Sequence, residues 1–168
     1  MFTGLPGTGK STLAEGLAVE SGVPAFAGDW LLGALAPHGV LKGLDRPAFL
    51  AMYYDLLGTL VRRQFMVGQS AIVDCLVNEE IAQRWEKLAA EYDGRLRIVE
   101  CVCSDEGAHR ARLAGRRRGI PGWHEVGWDH VERMRSEYPR LTREHLRVDA
   151  MDPVDVNLEH VRTYLRRS

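Results

Sequence analysis

Short apolar runs alternate with longer amphipathic stretches along the chain. Five runs have the length and character of strands: Met1–Thr3, Pro24–Ala27, Ser70–Cys75, Leu96–Val102 and Leu146–Asp149. Ser70–Cys75 (SAIVDC) and Leu96–Val102 (LRIVECV) are β-branched and apolar at their centres, as strands covered on both faces are. Crossover-length helical stretches lie between them. Lys10–Ser21 follows a glycine-rich turn, a short helix starts at Asp29, and Pro47–Met66 begins with proline at a first helical position. Asn78–Tyr92 opens on an Asn cap followed by Glu79 and Glu80, which suit the positive helix N-terminus. Ser104–Arg118 opens on a Ser cap, and Asp152–Arg167 on an Asp cap with Pro153. Strands alternating with helices predict an α/β fold with a mostly parallel sheet, as one domain over residues 1–168.

Two segments interrupt this pattern. Residues 37–46 (PHGVLKGLDR) are rich in chain breakers and read as a loop. Residues 115–127 (GRRRGIPGWHEVG) put four glycines and a proline around three arginines and a tryptophan. Glycine this dense prevents a stable helix, so the segment reads as a mobile flap between two helices, with its arginines solvated.

Composition narrows the class. At 168 residues the chain is long enough for one disulfide-free core. Its 22 basic and 23 acidic residues leave a net charge of −1, which argues against a globally basic nucleic-acid binder or a polybasic membrane anchor. No apolar run approaches the length of a membrane span. Cys75, Cys101 and Cys103 show no zinc-like pairing and read as reduced thiols of a cytoplasmic protein, and the histidines show no metal-ligand spacing and read as surface residues.

The strongest chemical signal is at residues 4–12, GLPGTGKST, which matches G-x-x-x-x-G-K-[ST] without a mismatch. A triphosphate needs several backbone N–H groups turned inward, which demands glycines tolerant of positive φ and close approach. The helix that follows offers its positive end to the same anion. Gly4, Leu5, Pro6, Gly7, Thr8, Gly9, Lys10, Ser11 and Thr12 are therefore the candidate ATP loop. Within it Lys10 reaches the β- and γ-phosphates and Ser11 ligates Mg²⁺. Only Met1, Phe2 and Thr3 precede Gly4, against about 5–6 residues in an average strand. Either the first strand is unusually short, with a frayed N-terminus, or the true start lies upstream of this numbering.

Two carboxylates follow at strand ends, where open parallel sheets bind ligands. Asp29, just past the second strand, is placed to take the proton of a hydroxyl attacking the γ-phosphate, a role compatible with capping the helix that starts there. Asp74 ends IVDC, the place of an acid that holds Mg²⁺, with a turn-forming Asp at a strand end as the alternative. Arg110, Arg112, Arg116, Arg117 and Arg118 fall within nine residues, and Arg112 and Arg116 share a helix face at i, i+4. Arginines carried by a flap can neutralise the transferring phosphoryl group while excluding water.

Taken together, GLPGTGKST, AGDWLLGAL, IVDC, RARLAGRRRG and LRVDAMDPVD resemble the small P-loop kinases, and among them the group of chloramphenicol phosphotransferase, zeta-toxin-like kinases and bacterial AAA-family ATPases. The resemblance implies a three-layer P-loop NTPase fold, with a five-stranded parallel sheet in order 2-3-1-4-5 and an arginine-rich lid. It implies ATP·Mg²⁺ as donor, Asp29 as base, Arg112 and Arg116 as lid arginines, and the Met151–Asp155 loop near the adenine. Polynucleotide kinases and zeta toxins carry an arginine about three residues after the catalytic Asp, whereas Trp30, Leu31 and Leu32 follow here.

Residues 1–60 hold only Lys10, Lys42 and Arg46 as basic groups, so an acceptor between Asp29 and the Pro47–Met66 helix meets apolar and aromatic walls. That favours a neutral or weakly charged hydroxyl-bearing molecule of antibiotic, nucleoside or sugar type, phosphorylated by a monomer or homodimer, and disfavours nucleic acid. A 5′-polynucleotide or nucleoside kinase and a regulatory ATPase remain the alternatives.

Overall fold

The computed structural model describes residues 1–137 and 141–166. Its sheet contains β1 (Phe2–Thr3), β2 (Ala25–Ala27), β3 (Ile72–Asp74), β4 (Val99–Val102) and β5 (Leu146–Asp149). All pairings are parallel, in the order β2-β3-β1-β4-β5, with Phe2 opposite both Asp74 and Val99. The helices among the described residues are α1 (Lys10–Ser21), α2 (Gly28–Leu35), α3 (Arg46–Met66), α4 (Glu79–Ala90), α5 (Glu106–Ala114), α6 (Trp128–Glu137) and α7 (Val154–Leu165), with a 3₁₀ turn at Ala36–His38. None of them is long and apolar enough to cross a membrane.

Neighbouring residues of a strand point to opposite faces, so the two-sided apolar runs feed two cores. Ile72, Val99 and Phe2 join Leu13 and Leu17 of α1 and Leu158 and Val161 of α7 on one face. Val73 and Ile98 join Leu57 and Val61 of α3 and Trp85 and Leu88 of α4 on the other. This is the three-layer arrangement the sequence implies, and it leaves the C-terminal strand ends as the rim on which the loops gather.

Several local expectations are corrected. The N-terminus is not frayed, because β1 lies between two neighbours. The Met1 amine donates to the Arg97 carbonyl (2.7 Å), the Met1 carbonyl accepts from the Val99 N–H (2.8 Å), and Phe2 is buried. Asp105 rather than Ser104 caps α5, accepting from the Ala108 N–H at 2.6 Å. Ser104 instead gives its N–H to Asp149 (3.1 Å), which orders the turn before the helix. That helix stops at Ala114, where the glycine-dense segment begins, so Arg112 and Arg116 do not share a helix face. Pro153, not Asp152, occupies the cap position of α7, and no side chain caps that helix. The expected end of α7 at Arg167 lies outside the described residues. Asp45 caps α3 (2.8 Å from the Ala48 N–H) and Asn78 caps α4 (2.9 Å from the Ile81 N–H).

Candidate active site

Residues 4–9 turn from β1 into α1 with Gly4, Gly7 and Gly9 all at positive φ. Two of these glycines are required for different reasons. A side chain on Gly4 would place its Cβ 2.2 Å from the Cys101 carbonyl oxygen of the neighbouring strand, which cannot retreat. At Gly9 a Cβ would meet nothing within 4 Å, so there the need is the left-handed φ of 83° itself, which L side chains resist. Thr8 closes the turn by donating from Oγ1 to the Leu5 carbonyl at 2.8 Å. Thr12 is exposed on the first turn of α1.

The opening turn of α1 aims Lys10 and Ser11 at the end of β3. Asp74 is 5 % exposed and accepts a 2.5 Å hydrogen bond from Ser11 Oγ on Oδ2. Lys10 Nζ lies 3.9 Å from its other oxygen, Oδ1, which has no hydrogen-bond partner. A buried carboxylate oxygen without a partner is costly unless something else satisfies it. Carboxylate and hydroxyl are hard oxygen donors, which suits Mg²⁺, so Ser11 and Asp74 fit the cation that the motif implies.

Asp29 stands two residues past β2, in the first turn of α2. It forms an ion pair with Arg118 that closes the site from the flap side. Arg116 also lines the cavity. Burial, and after it the nearby Arg118 charge, lowers the pKa of the Arg116 guanidinium, the signature of a cation enclosed without full compensation. Arg116, one of the two lid arginines the resemblance implies, thus lines the cavity, and Arg118, expected to be solvated, joins it. Arg112 is exposed on α5 and is not among the cavity-lining residues, and Arg110 pairs with Glu106 and Glu132.

The flap is packed on α2. Ile120 is buried, and Gly122 meets Gly33 so closely that a Cβ on Gly122 would lie 2.4 Å from the Gly33 carbonyl oxygen. The Arg118 N–H donates to Glu125 at 2.7 Å, which tightens the turn. These contacts enclose a cavity of about 320 Å³ running from Pro6, Lys10 and Asp74 past Asp29 to α3 and α6. Phe49, Leu50 and Tyr53 of α3 form one wall, as the aromatic content of Pro47–Met66 suggests. Tyr53 lies so near Gly28 that a Cβ there would overlap its ring, and burial raises its pKa well above the ordinary tyrosine value. Its hydroxyl therefore remains a donor at any physiological pH.

A further part of the lining, of which the sequence offers only Trp123 as a candidate for stacking on a base or acceptor, is set by the flap and α6. It comes from Trp123 and His124 of the flap and from His130, Arg133 and Met134 of α6. Together with Arg46 at the start of α3, these residues give the cavity a basic rim. The poverty of basic groups in residues 1–60 is real, but to Lys10 and Arg46 the cavity adds Arg116, Arg118 and Arg133 from later in the chain. His109, read as a surface residue, is 2 % exposed and touches the phosphate loop. Its one sequence signal is its place four residues before Leu113, on the apolar face of α5.

This combination of sheet order, phosphate loop, buried strand-end carboxylate and arginine flap defines a P-loop nucleotide-binding fold. A family model described as an AAA domain matches residues 1–141, and the chain belongs to that family. A search of curated proteins finds no match. Among solved structures, the fold is similar to a sugar kinase from a Janibacter species, at 17 % identity and a TM-score of 0.70, over 98 % of this chain and 91 % of that one. It is also similar to a gluconokinase from Sinorhizobium meliloti, with 18 % identity, a TM-score of 0.69 and the same coverage of 98 % and 91 %. A third similar structure is the Mycobacterium tuberculosis APS kinase in complex with AMPPNP and APS, with 21 % identity, a TM-score of 0.66 and coverage of 99 % and 95 %. The resemblance to small P-loop kinases is thus a likeness of fold over nearly the whole chain.

Proposed function

We propose that the protein is a kinase that moves the γ-phosphate of ATP to a hydroxyl of a small molecule. The observation that carries this reading is the position of Asp29, which shares one cavity with Lys10, Asp74 and the flap arginines. The loop amides and Lys10 hold the β- and γ-phosphates. Ser11 and Asp74 would hold Mg²⁺, which would offset charge on the phosphate oxygens. Asp29 accepts the proton of the acceptor hydroxyl as its oxygen bonds to the γ-phosphorus and the bond from that phosphorus to the ADP oxygen breaks. For this the Arg118 pair must open, and Arg118 then joins Arg116 on the transferring group, where their charge counts most. The fold likeness to kinases supports the reading, as does the flap packed beside the cavity on α2.

The lining also bears on the acceptor. Its apolar and aromatic walls suit a small organic body, while the cations that the flap and α6 add to the lining, Arg133 among them, favour one carrying a carboxylate rather than the neutral molecule expected from residues 1–60. The test is ADP release with Mg²⁺ across a panel of hydroxyl-bearing acids, each paired with its methyl ester. Acceptor-dependent ADP release, favouring the acid of a pair, supports the proposal. Equal or better use of the ester removes the carboxylate preference. Steady release of ADP and inorganic phosphate that no acceptor stimulates points to a regulatory ATPase instead.

A further inference from the structure

We propose that His109 is a positioning residue that ties the phosphate loop to the helix carrying one wall of the acceptor cavity, an inference that rests on nucleotide binding at that loop. His109 Nε2 lies 2.7 Å from the Pro6 carbonyl oxygen, in a buried setting. A carbonyl only accepts, so Nε2 carries the proton and donates. Pro6 has no N–H of its own, and its carbonyl belongs to the same planar peptide unit as the N–H of Gly7. In a trans peptide the two point in opposite directions. Holding the carbonyl against His109 therefore turns the Gly7 N–H away from the ring, toward the inner side of the loop where a phosphate is bound. The same ring edge packs on Gly7, where a Cβ would lie 3.2 Å from Cδ2 and 3.3 Å from Nε2.

The other side of the imidazole meets the indole of Trp128 edge-on, with centroids 5.1 Å apart and planes at 83°. Trp128 is the first residue of α6 and is itself fixed. Arg110 lies over its ring at 4.5 Å, Arg135 at 5.4 Å, and its Nε1 donates to Glu132 at 2.7 Å. The next turns of α6 present His130, Arg133 and Met134 to the cavity. One buried side chain thus connects the peptide that aims a phosphate-binding N–H to the helix that shapes the acceptor wall. A leucine or phenylalanine would fill the space between α5 and α6 without a polar group to satisfy, and burying an imidazole costs stability unless its N–H is bonded. The bond to Pro6 accounts for a histidine at this position.

The experiment uses the full chain with AMPPNP and Mg²⁺, measuring affinity by calorimetry and hydrogen exchange at the α6 amides with and without the nucleotide. In the wild type, AMPPNP should slow exchange in α6. His109→Gln keeps an N–H donor but gives up the ring on Trp128. It should bind AMPPNP within about threefold of wild type yet lose at least half of that nucleotide-dependent protection. His109→Phe keeps a ring and loses the donor, and should bind AMPPNP about tenfold more weakly, about 1.4 kcal/mol, as for one lost hydrogen bond. A purely structural role would lower the melting temperature of both variants and leave the nucleotide-dependent change in α6 intact. The proposal is overturned if His109→Gln retains full protection, if His109→Phe binds as wild type, or if AMPPNP leaves α6 unchanged in the wild type. Either variant is decisive alone should the other fail to fold. No AMPPNP binding by the wild type overturns the nucleotide reading and this proposal with it.

Discussion

Replacing Gly33 by alanine sets two effects of opposite sign against each other. Within α2 alone, alanine favours the helix over glycine by about 1 kcal/mol. Against the flap the same methyl collides. Its carbon would lie 2.5 Å from the Pro121 carbonyl oxygen, 2.7 Å from Ile120 Cγ2 and 3.3 Å from Trp123 Cβ. Carbon atoms settle about 3.5–4.0 Å apart, so the flap has to back away by about 1 Å. Overpacking of this kind costs about 1–3 kcal/mol. Full retreat instead uncovers Ile120, whose burial contributes about 1.5–3 kcal/mol. The flap takes whichever route is cheaper, so the docked state loses about 1–3 kcal/mol, or about 5–150-fold in population. Trypsin cuts after arginine, and cleavage at Arg116–Arg118 reads the undocked fraction when reclosing is fast. Gly33→Ala should therefore be cleaved there about 5–150-fold faster, while its melting temperature stays level or rises with the better helix. Unchanged cleavage together with a raised melting temperature would show that the flap does not depend on α2.

Other consequences can be checked separately. Arg118→Ala should lower the phosphotransfer rate by about 10²–10³, the loss typical of one preorganised donor to a developing charge, while ATP affinity changes less. Steady-state kinetics paired with calorimetry separates the two. Glu79 accepts hydrogen bonds from the Thr142 N–H (2.5 Å) and from Arg143 Nε (2.9 Å), and these pull its pKa from 4.5 to about 2. A carboxyl lowered by folding stabilises fully above its unfolded pKa and loses that contribution as pH falls toward the folded value. The difference in urea midpoint between wild type and Glu79→Gln should be constant above about pH 5 and vanish near pH 2. Burial pushes the Cys75 and Cys101 thiols up to about 12, whereas Cys103 is partly exposed. A thiol reagent at neutral pH should label Cys103 alone in the native protein and all three thiols after unfolding.

What could be read in advance was whatever depends on neighbours in the chain. The glycine spacing of residues 4–12 specifies a phosphate loop because each glycine answers to its own φ or to one adjacent strand. IVDC places Asp74 because a two-sided apolar run ends there. The Asn78 cap is likewise local. The misses share a different cause. Arg118, and not Arg112, stands beside Arg116 at the cavity because Gly33 admits the flap against α2, a contact between residues about ninety positions apart. Of the basic rim only Arg46 lies in the first sixty residues, because Arg133 and His130 arrive on α6. His109 looks like a surface histidine until Pro6 and Trp128 close on either side of it.

Asp29→Asn addresses the central claim most directly. The amide keeps the size of the side chain and removes its ability to take a proton. Removing a general base typically slows transfer by about 10²–10⁴. The account predicts that Asp29→Asn binds ATP·Mg²⁺ within about threefold of the wild type and loses phosphotransfer to that extent. Transfer to the same acceptor at the wild-type rate would contradict it.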